Sequence, residues 1–459
     1  MNYQDALGYL QTLTDFEKKT GYTYATAGFD LRRPRALLEV LGNPQLRFPS
    51  IVVAGTKGKG STSAMIASIL RASGRSVGLY SQPHLHTFRE RIRVDDTIIT
   101  PEEFASAVEA VVPVVEEFVR RYPDLGMPTS YEAATAAALV FFARKAPDIV
   151  VLEVGLGGRL DAVNVVEPLV SVITPVSLDH VQILGNTVAE IASEKAGIIK
   201  ERGVVVAAEQ DEEAMGVIRR VARERSARLI EARPDVAGPA VPEDGRPEIR
   251  PGEHARPRRT STEVSLRGTA GAVYRLRLPL LGAHQVANAA TAIAVIEQLE
   301  GMGVVAGREA IEAGLASVKW PGRLEVVSEA PLVVVDGAHN GDSARKLAAA
   351  LTEEFLYRRL ILVLGTSTDK DVEGIIAALG PIADIAIATR SRHPRAADPE
   401  RLAAELRRHS HDVRLAPDVP KALSLATGLA DSADLICATG SLFTVADARD
   451  HYGLAVDKD

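Results

Sequence analysis

Residues Ser50 to Ser61 read S-I-V-V-A-G-T-K-G-K-G-S and run directly into T-S-A-M-I-A-S-I-L. A β-branched run breaks into a loop of three glycines and two lysines, then into a helical pattern of small and apolar residues. Small residues after a strand let the backbone wrap closely round an anion. The N–H groups of the loop and of the following helix then point at that anion. The string is therefore read as a phosphate cradle, with Lys59 as its mobile positive charge. It is not a plain G-x-x-x-x-G-K-[ST], because Val53 stands at the first glycine and Gly60 separates Lys59 from Ser61. The alternative is an ordinary glycine turn between a strand and a helix.

The rest of the chain supplies the setting. Its 459 residues suit two or three domains with ample buried core. A net charge of -7 argues against a broad electrostatic grip on nucleic acid or an anionic membrane, leaving small anionic ligands as the better fit. The single cysteine, Cys437, excludes an intrachain disulfide and a cysteine zinc site. No apolar run reaches the roughly 18 residues of a membrane span, and the first residues lack a signal-peptide pattern, so a cytoplasmic protein is expected.

Buried-type strands at Ile51–Ala54, Ser76–Tyr80, Asp148–Val154, Val170–Thr174 and Val204–Ala208 alternate with helical stretches. This alternation predicts an α/β fold with a doubly wound parallel sheet. From Arg233 to Arg259 the texture turns to proline, arginine, glycine and acids, which reads as an exposed loop. Thr262–Gly268 and Val273–Leu280 then form a small antiparallel β-layer. A helix follows from about His284, and Trp320-Pro321-Gly322-Arg323 marks a hinge. Strands at Leu332–Asp336, Leu360–Gly365, Ile385–Thr389 and Asp434–Gly440 predict a second α/β domain.

In open α/β sheets ligands gather beyond the carboxyl ends of the strands. Those positions carry Glu153, then Arg159 and Asp161; Asp179 and His180; Asp336, His339 and Asn340; and Asp369, Lys370 and Asp371. Glu153 and His180 are candidates for a Mg²⁺ site, although Mg²⁺ prefers oxygen. The alternative pairs Glu153 with Arg159 and leaves His180 structural. Lys195, beside Glu194, reads either as a site residue or as part of a solvated helix face. His284, Gln285 and Asn288 are candidates for recognising a base or for capping a helix.

Together, Gly55–Ser61, Leu152–Asp161, Ser177–His180, Ser193–Gly197, His284–Ala289, Trp320–Arg323, Asp336–Asn340 and Ala438–Val445 resemble the dihydrofolate synthase/folylpolyglutamate synthase family of Mur-type ligases. The resemblance runs in order along nearly the whole chain. It implies an N-terminal P-loop ATPase domain over residues 1–319, carrying the small β-layer, and a C-terminal Rossmann-like glutamate-ligase domain over residues 320–459. It further implies an ATP- and Mg²⁺-dependent amide ligase that phosphorylates a pterin-bearing carboxylate and lets the amine of L-glutamate displace phosphate. Dihydropteroate or a reduced folate is the acceptor.

The roles implied by the resemblance follow residue by residue. Thr56, Lys57, Gly58, Lys59, Gly60 and Ser61 would hold the ATP phosphates. Asn288 would face the adenine, and Arg323 and Asp336 would reach the nucleotide across the hinge. Glu153, His180 and Ser61 would ligate Mg²⁺, joined by Lys195 as a carbamate. His339 would lie near the glutamate and the acyl phosphate. Ser130, Tyr131, Glu132, Leu160, Asp161 and Ala162 would flank the pterin.

Three departures are visible. Lys57 stands where the family usually has asparagine, Gln82 replaces a serine that touches Mg²⁺, and the Pro128–Glu132 run differs from the family pattern. An amide oxygen of Gln82 would still be a hard ligand. The chain is expected to be a monomer without nucleic-acid or membrane partners. The competing readings are a Mur-type ligase acting on another carboxylate and a regulatory nucleotide-binding ATPase.

Overall fold

The computed structural model describes residues 1–16, 28–237 and 253–457. The first sheet is built from β1 (Ser50–Ala54), β2 (Val77–Tyr80), β3 (Ile92–Val94), β4 (Thr97–Ile98), β5 (Ile149–Glu153), β6 (Val170–Ile173), β7 (Val204–Ala208) and β8 (Arg228–Ala232). Its order is β4-β3-β2-β5-β1-β6-β7-β8, with parallel pairing throughout except for the antiparallel β2–β3 and β3–β4 edge. The central strand β1 is buried along its whole length, as a parallel strand covered on both faces must be. Side chains alternate across it. Val52 and Ala54 enter one core with the helices Pro101–Arg121 and Ser130–Lys145, while Ile51 and Val53 enter the other with Lys59–Ala72 and Ala283–Glu300.

A small antiparallel layer joins β9 (Asp235–Val236), β11 (Thr262–Arg267) and β12 (Val273–Leu278), with β10 (Arg256–Pro257) lying apart from it. The second sheet comprises β13 (Glu325–Glu329), β14 (Leu332–Val335), β16 (Leu360–Leu364), β17 (Ile385–Ala388), β18 (Val413–Leu415) and β19 (Leu435–Thr439), in the order β13-β14-β19-β16-β17-β18. The same alternation holds: Leu360, Leu362 and Leu364 face one layer of helices, Ile361 and Val363 the other. Among the described residues no helix is long and apolar enough to cross a membrane.

Where it is described, the Arg233–Arg259 segment is largely exposed, as expected, but its last stretch is docked rather than free. Residues 238–252 lie outside the described residues. The stretch after them docks on the second body: β10 pairs antiparallel with β15 (Phe355–Leu356), and Ala255 is buried in the second core. Arg259 makes a two-pronged ion pair at 2.6 Å with Glu354, a carboxylate 1% exposed. A buried carboxylate without such a partner is strongly destabilising, so Arg259 supports the second core even though its own side chain is 42% exposed.

Candidate active site

Strand β1 lies between β5 and β6, so the carboxyl ends of all three open on one crevice. The β1 end gives the glycine loop. Gly55 has φ +147°, and a Cβ there would fall 1.9 Å from Thr174 Oγ1; Gly58, at φ +80°, would press within 2.5 Å of Asn288 Oδ1. Both positions exclude a side chain, which is why the loop can hug its neighbours. The backbone N–H groups of Thr56 and Lys57 donate to the Pro175 carbonyl, anchoring the loop to the chain leaving β6. The helix starts at Lys59, so the amides of its first turn through Ser61 have no preceding helical carbonyl to bind.

Two ammonium groups meet at this loop. Lys59 Nζ donates to the Gly55 carbonyl at 3.0 Å, and Lys195 Nζ donates to the same oxygen at 2.8 Å. Lys195 is 4% exposed; burial, then the neighbouring Lys59, pushes its pKa down to about 7. The solvated-face alternative for Lys195 therefore fails. Glu153 ends β5 with 2% exposure and accepts the Gln82 backbone N–H at 3.1 Å. Burial raises its pKa, against the pull of Lys59 and Arg323. Arg159, the alternative partner of Glu153, instead pairs with Glu194.

A second polar cluster spans both bodies. Lys57 Nζ donates to Asp179 Oδ2 and to His339 Nε2, both at 3.1 Å. Lys370 Nζ lies 4.0 Å from Asp179 Oδ1. His339 Nδ1 is 2.9 Å from the Gly337 carbonyl, which only accepts; Nδ1 therefore carries the proton and Nε2 offers a lone pair to Lys57. Desolvation, then Lys57, pushes the His339 pKa down to about 4, so the ring is neutral at pH 7. Burial pulls Lys57 to about 8 against the attraction of Asp179. Asp179 and Lys370, singled out in the sequence only as strand-end groups, thus help to join the halves at this cluster. The signal available was the Asp179-His180 pair and a lysine flanked by two acids.

The remaining candidates divide into groups facing the crevice and groups built into its walls. Asn288 touches Gly58 and donates to Gln285 Oε1 at 2.9 Å. Arg323 lies against Gly337, where a Cβ would meet its Nη1 at 2.3 Å. Asp336 accepts the backbone N–H groups of Leu324 and Ala338 at 2.9 and 2.8 Å. Asp161 accepts from the backbones of Gly155, Leu156 and Val163 and from Tyr131 OH at 2.9 Å. Since the Tyr131 proton goes to Asp161, Tyr131 must accept from Gln82 Nε2, also at 2.9 Å, which leaves Gln82 Oε1 as the free acceptor. Glu132 caps its own helix through Thr129 and pairs with Arg33 at 3.2 Å. Ser130 N–H donates to Thr14, Ala162 is buried, and Leu160 lines a separate cavity with Leu31, Asn164 and Lys200.

His180, half-exposed and at φ +50°, stands next to Asp179 and is not in contact with Glu153. Among the described residues no three Asp, Glu, His or Cys side chains converge as a ready metal cage. Mg²⁺ needs only one or two protein carboxylates alongside waters and phosphate oxygens. A buried Glu153 with one oxygen free of hydrogen bonds, within electrostatic reach of Lys59 on the loop helix, fits that requirement.

A Mur ligase middle domain model matches residues 125–296, and a Mur ligase glutamate ligase domain model matches residues 322–442. A curated dihydrofolate synthase/folylpolyglutamate synthase of Bacillus subtilis is 36% identical over 451 residues, covering 97% of this chain and 98% of its own. The chain belongs to the dihydrofolate synthase/folylpolyglutamate synthase family. Among solved members, a Mycobacterium tuberculosis folylpolyglutamate synthase complexed with ADP is 33% identical with a TM-score of 0.85, covering 100% of this chain and 99% of that one. E. coli FolC in complex with DHPP and ADP is 30% identical with a TM-score of 0.81, covering 98% and 97%.

Proposed function

We propose that the protein is an ATP- and Mg²⁺-dependent ligase that joins L-glutamate to the carboxylate of dihydropteroate, a folate monoglutamate, or both. The observation that carries this reading is the meeting of two strand-end sites: a cationic glycine loop on the first sheet lies one side chain away from His339 on the second. A regulatory ATPase has no need of that juxtaposition. The reading takes residues 1–319 and 320–459 as the two domains and a single copy as the working unit, because both halves of the site come from one chain.

In this reading the free amides from Gly58 to Ser61 and the Lys59 ammonium hold the ATP phosphates, with Thr56 bracing the loop through its hydrogen bonds to Ser177. Phosphoryl transfer asks mainly for positioning and charge neutralisation, and Lys59 with Arg323 supplies both. Asn288 stands at the loop for the nucleotide. Asp336 holds the Arg323-bearing turn in place through its two backbone acceptor bonds. Glu153, Ser61 and His180 would hold Mg²⁺, whose contribution is to neutralise charge on the phosphate oxygens.

Lys195 would complete that set as a carbamate. Its amine, depressed to about 7, is substantially neutral at pH 7.5. The nitrogen lone pair adds to the carbon of CO₂, a proton leaves to water, and an oxygen donor replaces an ammonium. On the acceptor side, Tyr131 would border the pterin, while Asp161, Ala162, Glu132 and Ser130 shape that wall from behind and Leu160 lines the neighbouring cavity. The acyl phosphate formed on the acceptor is attacked by the glutamate amine between the two bodies, and closure of the cleft keeps water from it. The neutral His339 faces that cleft from the second body.

Mass spectrometry of products from purified protein, ATP, Mg²⁺ and glutamate, with dihydropteroate or tetrahydrofolate as acceptor, tests the reading. A glutamyl mass increment on either acceptor is expected, with ADP and phosphate released in step. No increment on either, together with efficient ligation onto an unrelated carboxylate, would move the protein to another Mur-type substrate. Glutamate-independent ATP turnover would make it an ATPase.

A further inference from the structure

The two lysines of the glycine loop do different things. Lys59 folds back onto the loop, its ammonium on the carbonyl of Gly55. Lys57 reaches across to the other body, its ammonium on Asp179 and His339. The base of Lys57 is fixed as well, because its backbone N–H and that of Thr56 both donate to Pro175, four residues before Asp179 in the chain. The carboxylate of Asp179 is approached from both bodies, by Lys57 from the first and by Lys370 from the second. The Gly337 carbonyl holds the far side of the His339 ring. Each end of the imidazole is thus occupied, one by the second body and one by the phosphate loop.

We propose that Lys57 is a positioning residue that couples the phosphate loop to His339, fixing the imidazole in one tautomer and one place over the loop and so governing the use of the amine substrate rather than the binding of ATP. The proposal rests on the functional reading above for the identity of that substrate. The contact itself stands on geometry alone. An asparagine is too short to span the same gap from the same backbone position.

The consequence is a division of kinetic effects. Lys59, on the loop, governs ATP and phosphoryl transfer. Lys57 acts through His339, so its loss shifts the parameter that depends on the second body. Removal of an interaction made through a shared partner also shows as non-additivity in a double-mutant cycle.

The test uses the full chain with Lys57→Met, which keeps the length and removes the charge, alongside Lys57→Asn, His339→Ala and the Lys57→Met/His339→Ala double variant. Lys57→Met should raise the glutamate KM about tenfold while the ATP KM stays within about twofold. In the His339→Ala background the same change should add less than about twofold. Nitrogen-15 NMR of labelled histidines in the nucleotide-free protein should show His339 as the Nδ1–H tautomer with a hydrogen-bonded Nε2, and that Nε2 signature should disappear in Lys57→Met. The Lys57→Asn variant should behave like Lys57→Met.

A tenfold rise in ATP KM with glutamate KM unchanged would overturn the proposal, as would full additivity in the cycle. If the wild-type chain showed no glutamate-dependent turnover, the functional reading would fall. The NMR comparison would then decide the Lys57–His339 contact by itself, and an Nε2 signal indifferent to Lys57→Met would remove it.

Discussion

The crevice of the first sheet and the turn after β14 in the second are both polar strand ends, yet they are built on opposite principles. Around Gly55 the charges are buried or half-buried and thinly partnered: Lys59 and Lys195 share one carbonyl oxygen, and Glu153 has a single backbone donor. At Asp336–Asn340 the polar atoms are largely absorbed by the backbone. Asp336 accepts two N–H groups, and the Asn340 side-chain oxygen caps the helix Gly341–Glu354 by accepting the Ser343 N–H; His339 turns its Nε2 to the cleft, where it meets Lys57. Buried charge that folding leaves short of partners is destabilising, and it persists where a ligand supplies the missing counter-charge. Polar groups saturated by backbone are architecture. The contrast assigns chemistry to the first region and support to most of the second.

The largest expected effect lies in the first region. Lys59→Met should lower kcat by about 10³-fold, the scale of removing one preorganised charge donor, with the melting temperature little changed. Steady-state rates and a thermal melt on the same preparation measure both. A folded Lys59→Met protein turning over at nearly the wild-type rate would take the loop out of the reaction and break the contrast from that side.

Asp336→Ala should behave in the opposite way. Two backbone donors lose their acceptor, so denaturant unfolding should show a loss of about 2–3 kcal/mol. If stability is untouched while activity vanishes, Asp336 belongs with the chemistry and the division between the regions must be redrawn.

The smallest and most diagnostic effect is a gain. Lys195 has a folded pKa of about 7, below its unfolded value, so the unfolded chain binds more protons between about 7 and 10.5. The penalty is complete below pH 7 and fades as pH rises toward the unfolded value. Lys195→Met, assayed without CO₂, should therefore stabilise the protein by about 1–2 kcal/mol at pH 6, with the gain gone near pH 10.5. Melts across that range check the sign. A Lys195→Met protein less stable than wild type at pH 6 would show that Lys195 is a satisfied structural group. Activity should nonetheless be lost in this variant, the mark of a residue retained for function at the expense of stability.

Much of this was legible in the sequence because the signals were local. The all-apolar strands Ile51–Ala54 and Leu360–Leu364 announce sheets covered on both faces, and the glycine loop announces its own tight turn. Strands β4, β8, β13 and β18 lie at sheet edges and β3 is only three residues long, so none carries a clear apolar pattern. The docking of the 253–259 stretch is not legible in its loop-like composition, because it depends on Glu354, almost a hundred residues away in the chain.

What the sequence determined by itself was the pair of α/β layers, the glycine loop with its lysine, and the list of polar residues delivered to the strand ends, since periodicity and turn chemistry act over a few residues. Only the tertiary structure decided how those residues divide. It buried Lys195 against the Gly55 carbonyl, gave Asp161 and Asp336 to backbone amides, and brought Lys57 to His339 across 282 positions of chain. Partnership and burial are set by which strand ends face one another, and that depends on the folding of the whole chain.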